Sequence, residues 1–170
     1  MSRFPLPTIA LALALLLAGC SLGRSLQAGQ AEAEVLQRLG TPTARYPMAD
    51  GRVRLEYATG PMGRETWMVD LDAQGRVSQF FQALEEPRLH AFQVRAPGLS
   101  IDELLRTLGR PAEVRQVARV AGRPGQVWAW RYPTPECQWY EVSIDADRRV
   151  VDAGFAIDPR CDMRGGGDRS

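Results

Sequence analysis

The chain contains no lysine: its 21 basic residues are all arginine, set against 20 acidic residues and a single histidine. A near-neutral balance of this kind lacks the basic excess of a nucleic-acid binder, so no nucleic-acid partner is expected. Each positive charge is a guanidinium, a planar fork matched to carboxylates and phosphates; the absence of lysine itself is read first as codon bias. With one histidine, His90, and no Ser or Cys beside it in a nucleophile setting, a hydrolytic triad is not expected. His90 reads as an ordinary, partly exposed side chain, and no cofactor or metal site is announced, because His90, Cys137 and Cys161 do not have the spacing of a convergent ligand set. Long apolar runs are also missing. The stretch from Ile9 to Gly19 is shorter than the roughly 20 apolar residues that cross a bilayer.

That stretch follows one basic residue, Arg3, and ends in small residues, which is the pattern of a cleaved secretory signal over 1–19. Its last residues, Leu17-Ala18-Gly19-Cys20, resemble the lipobox of bacterial lipoproteins, and the resemblance implies lipidation of Cys20 as the first residue of the mature chain. Ser21, directly after it, resembles the pattern sorted to the outer membrane rather than the aspartate that retains lipoproteins in the inner one. A plain signal with an incidental cysteine is the alternative. If Cys20 carries lipid, the three cysteines reduce to Cys137 and Cys161, an even count that in an oxidising compartment predicts a disulfide. A bridge of this span contributes about 3 to 4 kcal/mol on the chain-entropy model. A reactive thiol pair would favour a closer Cys-x-x-Cys spacing.

What remains, about 150 residues, suits one compact domain or two small ones. Gly29 to Pro42 aligns without a gap on Gly98 to Pro111: Glu34 falls on Glu103, Leu39 on Leu108, Gly40 on Gly109. The chain thus carries one module twice. Beyond the helix, Val53, Leu55 and Tyr57 align with Trp128, Trp130 and Tyr132, and Trp67, Val69 and Leu71 with Tyr140, Val142 and Ile144, with two changes of loop length. Ser100 and Glu103 form a capping box, Leu104, Leu105 and Leu108 a buried stripe, and Gly109 with Pro111 a stop. Ala31 stands where Ser100 does, so the first helix lacks that cap. A short helix is expected at 86–94. Period-two alternation then gives strands. The expected fold is α+β, two tandem helix-plus-antiparallel-sheet modules with helices on one face of the sheet. The expected divisions are 1–19 signal, 20–29 lipidated tether, 30–84 first module, 85–163 second module and 164–170 disordered tail.

The pattern Gly98-Leu-Ser-x-x-Glu103-Leu-Leu-x-x-Leu108-Gly109-x-Pro111, followed by strands and by Asp-x-x-Gly-x-Val at 72–77, resembles the SmpA/OmlA (BamE) domain of outer-membrane lipoproteins. Its fold is similar to that of the β-lactamase inhibitor protein, which carries two such modules. The resemblance implies a periplasm-facing, non-enzymatic protein-interaction role in outer-membrane protein assembly or envelope integrity. The chain departs from the family at Arg148, where the turn carries glycine. No partner-binding residue transfers, because the matched positions are cap, turn and core residues.

Asp70 with Asp72, and Asp145 with Asp147, flank hairpins and read as turn-amide acceptors; calcium or acid–base use is the other option. Trp128, Trp130 and Tyr132 read as core, with a carbohydrate or lipid platform as the minority view. If Val69, Leu71, Val142 and Ile144 face the helices, strand parity points Met68 and Trp139 the other way. Simple hairpin pairing sets Phe80 beside Met68 and Phe155 beside Trp139. These four, with Arg52, Arg54 and Arg131 nearby, form the expected binding surface for an envelope protein. The competing expectation is that the two copies bury them against each other or under a loop. Two other function classes stay open, an inhibitor or sequestering module for a periplasmic enzyme and a small-ligand binder with a polar cleft.

Overall fold

Among the described residues these patterns give three α-helices, a short 3-10 turn at Ala49–Gly51 and eight strands. The computed structural model describes residues 26–60 and 62–161; the expected signal at 1–19, Cys20 and the expected tail at 164–170 lie outside the described residues. The first copy runs α1 (Glu32–Leu39), β1 (Ala44–Pro47), β2 (Val53–Ala58), β3 (Thr66–Leu71) and β4 (Val77–Gln82). The second runs α2 (Glu86–Arg95), α3 (Ile101–Leu108), β5 (Glu113–Val120), β6 (Arg123–Trp130), β7 (Gln138–Ile144) and β8 (Val150–Ile157). Each copy builds its own four-stranded antiparallel meander, in the order β1-β2-β3-β4 and β5-β6-β7-β8. The fold is therefore α+β, two tandem helix-plus-sheet modules.

Local chemistry explains the helix ends. The Ser100 Oγ accepts from the Glu103 N–H, and the Glu103 carboxylate accepts in return from the Ser100 N–H at 2.8 Å, completing the capping box. α1 starts at Ala31 with no side-chain cap. Both starts are clipped in the same way by the sheet: the Gly29 and Gly98 N–H groups donate to the carbonyls of Val77 and Val150, each at 2.8 Å. Leu26, within the expected tether at 20–29, packs against the first core as well.

Two apolar clusters result. Val35 of α1 meets Leu55, Tyr57, Val69, Leu71 and Val77 on one face of the first sheet. Leu89 and Phe92 of α2 and Leu104 and Leu108 of α3 meet Trp130, Tyr140, Val142 and Ile144 on one face of the second. Cross-strand partners correct the alignment of the copies. Glu56 pairs with Met68 as Ala129 pairs with Glu141, and Tyr57 pairs with Trp67 as Trp130 pairs with Tyr140. Tyr57 thus corresponds to Trp130 rather than Tyr132, and one longer hairpin between β5 and β6 accounts for the whole change of spacing.

The same registers overturn the expected aromatic face. In both copies the last hairpin carries a bulge, between Asp70 and Leu71 and between Ser143 and Ile144, which inserts Ser78 and Val151. A one-residue slip moves every later side chain to the other face. Phe81, not Phe80, pairs with Met68, and Ala156, not Phe155, pairs with Trp139. Phe80 lies on the α1 side, stacked on Trp67 at 4.8 Å, and Phe155 packs edge-on against Tyr140 and Tyr132 in the second core. Met68 and Trp139 do point to the opposite face, yet both are buried. The four residues form no common surface.

Cys137 and Cys161 are bonded, with Cα atoms 5.9 Å apart, tying the start of β7 to the chain beyond β8. Trp130 and Tyr132 are core residues and Trp128 packs against them. Asp72 and Asp145 accept from the turn amides of Gln74 with Arg76 and of Asp147 with Arg149. Arg148 occupies the turn position of Gly75 with φ 60° against 71°. A side chain in this left-handed region costs roughly 1–2 kcal/mol, partly offset by the entropy glycine loses on folding. Arg148→Gly is therefore expected to stabilise the protein by about 0.5–1 kcal/mol, seen as a small rise in Tm; an unchanged or lower Tm counts against the strain. The hydrogen bonds from Ser100 hold the Glu103 carboxyl below its ordinary pKa of 4.5. A lowered folded-state pKa supplies stability that is present above 4.5 and lost as pH falls through the folded value. Urea unfolding from pH 7 to 3 is expected to show a shallower acid loss for Glu103→Gln than for the wild type.

Candidate binding cleft between the modules

The face of the first sheet turned away from α1 carries Tyr46, Arg54, Glu56, Met68, Asp70 and Phe81, by the cross-strand register. Left to solvent, Glu56 would be an ordinary surface carboxylate; here it is fully buried. It accepts from the Tyr46 hydroxyl and, at 3.1 Å, from the Arg110 N–H just past the end of α3. Burial, with the Glu56 carboxylate next to it, pushes the Tyr46 hydroxyl pKa far up, so this phenol stays a donor. Arg54 grips Asp70 with both arms of its fork, at 2.5 and 2.7 Å, and its third nitrogen donates to the Arg106 carbonyl at 2.6 Å. A guanidinium at the last turn of α3 meets the negative end of the helix dipole.

Gly109 makes this approach possible. A Cβ there would lie 2.7 Å from Thr66 and 2.9 Å from Glu56. Its counterpart Gly40 ends α1 in nearly the same conformation, φ 78° and ψ −161°, with open space around it. The helix end of the second module is thus seated on the first sheet, and the layers run α1, first sheet, α2 with α3, second sheet.

Beside this seam the layers diverge into a cleft of about 500 Å³. Its floor is Phe81, Gln79 and Arg54 of the first sheet; Arg88, Ala91 and Arg95 of α2 and Arg106 and Thr107 of α3 form its walls. The Arg88 guanidinium lies over the Phe81 ring at 4.4 Å and also meets Glu85 at 3.4 Å. Among the described residues Arg95 and Arg106 make no ion pair: Arg95 lies near the Phe92 ring and Arg106 donates to the Asp102 carbonyl. Glu103, the one acidic residue in the lining, is engaged by Ser100. The cleft is therefore cationic, with the Phe81 ring at its floor beside Gln79 and Arg54.

Of the residues singled out in the sequence, Arg54 belongs to this site, and Met68 lies buried on the same sheet face. Arg131 is paired with Asp158 at 3.1 Å on the far side of the second sheet, and Arg52 donates to the Ala49 carbonyl in a turn. Trp139 sits between the guanidiniums of Arg115 and Arg131, 5.0 and 5.4 Å from its ring centroid. His90 is exposed, against Glu86 and the Phe155 ring. Among the described residues no three His, Cys, Asp or Glu side chains gather where a metal could be held. The wall residues Arg88, Arg95 and Arg106 were not singled out. Their signal was present in the spacing of Arg88, Ala91 and Arg95, which share one face of a helix whose scattered apolar residues obscured it.

No family model and no curated protein match this chain. Among solved structures it is similar to a cysteine-rich secretory protein from Staphylococcus aureus subsp. aureus Mu50, at 11% identity and a TM-score of 0.28, over 78% of this chain and 45% of that one. The chain thus spans less than half of that neighbour's length.

The seam makes the two glycines unequal. Either alanine substitution forces a side chain into a backbone region nearly reserved for glycine, at about 1–3 kcal/mol. Gly109→Ala adds the collision with Thr66 and Glu56, a further 1–3 kcal/mol or so. Urea denaturation is expected to rank Gly109→Ala well below Gly40→Ala; equal losses would mean that α3 does not seat on the first sheet.

Proposed function

We propose that this protein is a lipid-anchored, periplasm-facing lipoprotein of the outer membrane that works without catalysis, by binding a partner protein in the cleft between its modules. The observation that carries the reading is the cleft: two modules locked by Arg54, Glu56 and Gly109 leave between them an opening lined by Arg88, Arg95 and Arg106, with the Phe81 ring at its floor. A rigid concave site with a few convergent polar groups is the usual form of a binding site. The lipobox-like Leu17 to Cys20 supports the anchor. Since Leu26 already packs in the first core, five residues separate it from Cys20, a reach of at most about 20 Å. Anchoring by acyl chains needs no spanning helix, and among the described residues no helix is long and apolar enough to cross a membrane. The likeness of the cap and turn motifs to SmpA/OmlA domains supports a place in outer-membrane protein assembly or envelope integrity. The size and polar walls of the cleft favour a small-ligand role as the second reading.

Cys20→Ser is expected to shift the protein from the membrane to the soluble fraction and to abolish labelling by a palmitate analogue. A photo-crosslinker at Gln79, inside the cleft, is expected to trap one defined protein that the same group at Asp152, on the outer side of the second sheet, does not. Identical products from both positions, or none from Gln79, would sink the partner reading.

A further inference from the structure

We infer that the partner enters the cleft as an extended acidic segment in which carboxylates alternate with apolar side chains. This rests on the binding reading above and names the chemistry of its occupant. Arg88 and Arg95 leave one face of α2 seven residues apart, an axial separation of about 10 Å between their backbone positions. Charges distributed along a strand match this spacing: at about 3.3 Å per residue, carboxylates two to four positions apart span roughly 7–13 Å.

The surface between the arginines decides what joins those charges. Ala91 lies between Arg88 and Arg95, and Phe81, Met48 and Leu99 add apolar lining. A uniformly charged polymer such as polyphosphate would cover this lining with charge and lose its hydration against apolar groups. A strand whose successive side chains alternate sets carboxylates toward the arginine walls and apolar groups toward the floor. The walls are prepared for this. The Phe81 ring holds the Arg88 guanidinium in place beside Glu85, while Arg95 and Arg106 make no ion pair among the described residues, Glu103 acting on Arg106 from beyond that distance. Arg54 does not take part, because its fork is filled by Asp70 and the Arg106 carbonyl.

The test is a fluorescence-anisotropy titration of the purified intact protein with a labelled, amidated nonapeptide alternating Glu and Leu. Saturable binding is expected, weakening steadily as salt rises from about 50 to 500 mM. Arg88→Gln/Arg95→Gln, two solvent-facing substitutions whose folding is checked by an unchanged melting curve, is expected to weaken it at least tenfold. So is replacing the peptide's Glu residues by Gln. The inference is overturned if the double variant binds like the wild type, if the Gln peptide binds equally, or if tripolyphosphate binds and the peptide does not. Failure of the peptide with Gln79 crosslinking retained overturns the acidic-segment inference alone; loss of both removes the partner reading with it.

Discussion

The contact on which the rest of the molecule depends is the seating of the α3 terminus on the outer face of the first sheet. A helix end exposes carbonyls that need donors, and a sheet face carrying Arg54, Glu56 and Asp70 needs partners for its charges. Each answers the other: Arg54 reaches the Arg106 carbonyl, Glu56 takes the Arg110 amide, and Asp70 neutralises the arginine that bridges them. Met68, on the same face, is thereby removed from water, and two small meanders, each marginal alone, share one buried seam. The cleft lies beside this contact, where α2 reaches the first sheet through Arg88 on the Phe81 ring.

Much of each module was readable before any coordinates. The capping box, the Gly-x-Pro stop, the alternating strands and the duplicated order are local signals, and local signals survive into the folded chain with little tertiary interference. Cys137 and Cys161 followed from counting. The bulge was not readable: Ser78 and Val151 look like any strand residue, yet each shifts the register by one and sends the following phenylalanine to the opposite side of its sheet. The seam was not readable either, since Gly40 and Gly109 occupy identical motifs and only their surroundings differ. Arginines along α2 carried a pattern, but it becomes a site only once the first sheet is placed opposite them.

The two copies also differ in how they treat equivalent surfaces. The outer face of the first sheet receives a helix. In the second sheet, Ala129 replaces Glu56, and Trp139 stands at the position of Thr66 between two guanidiniums, with Arg115 also bound to Glu141. An indole covered by arginine side chains closes the face without presenting an apolar patch, much as a terminal repeat closes a solenoid.

Gly40 shows in what order such an arrangement can arise. A helix that ends in a glycine-only conformation has, as a by-product, a patch of bare backbone on its surface. In α1 that patch serves the chain reversal and takes the Tyr57 hydroxyl on its carbonyl; in α3 the same patch is the floor on which another sheet rests. Duplication of the module therefore copied a ready-made notch along with the turn, and the second copy had only to acquire a neighbour whose carboxylate and methyl group fitted into it. A conformational requirement of one chain segment became a recognition surface between two.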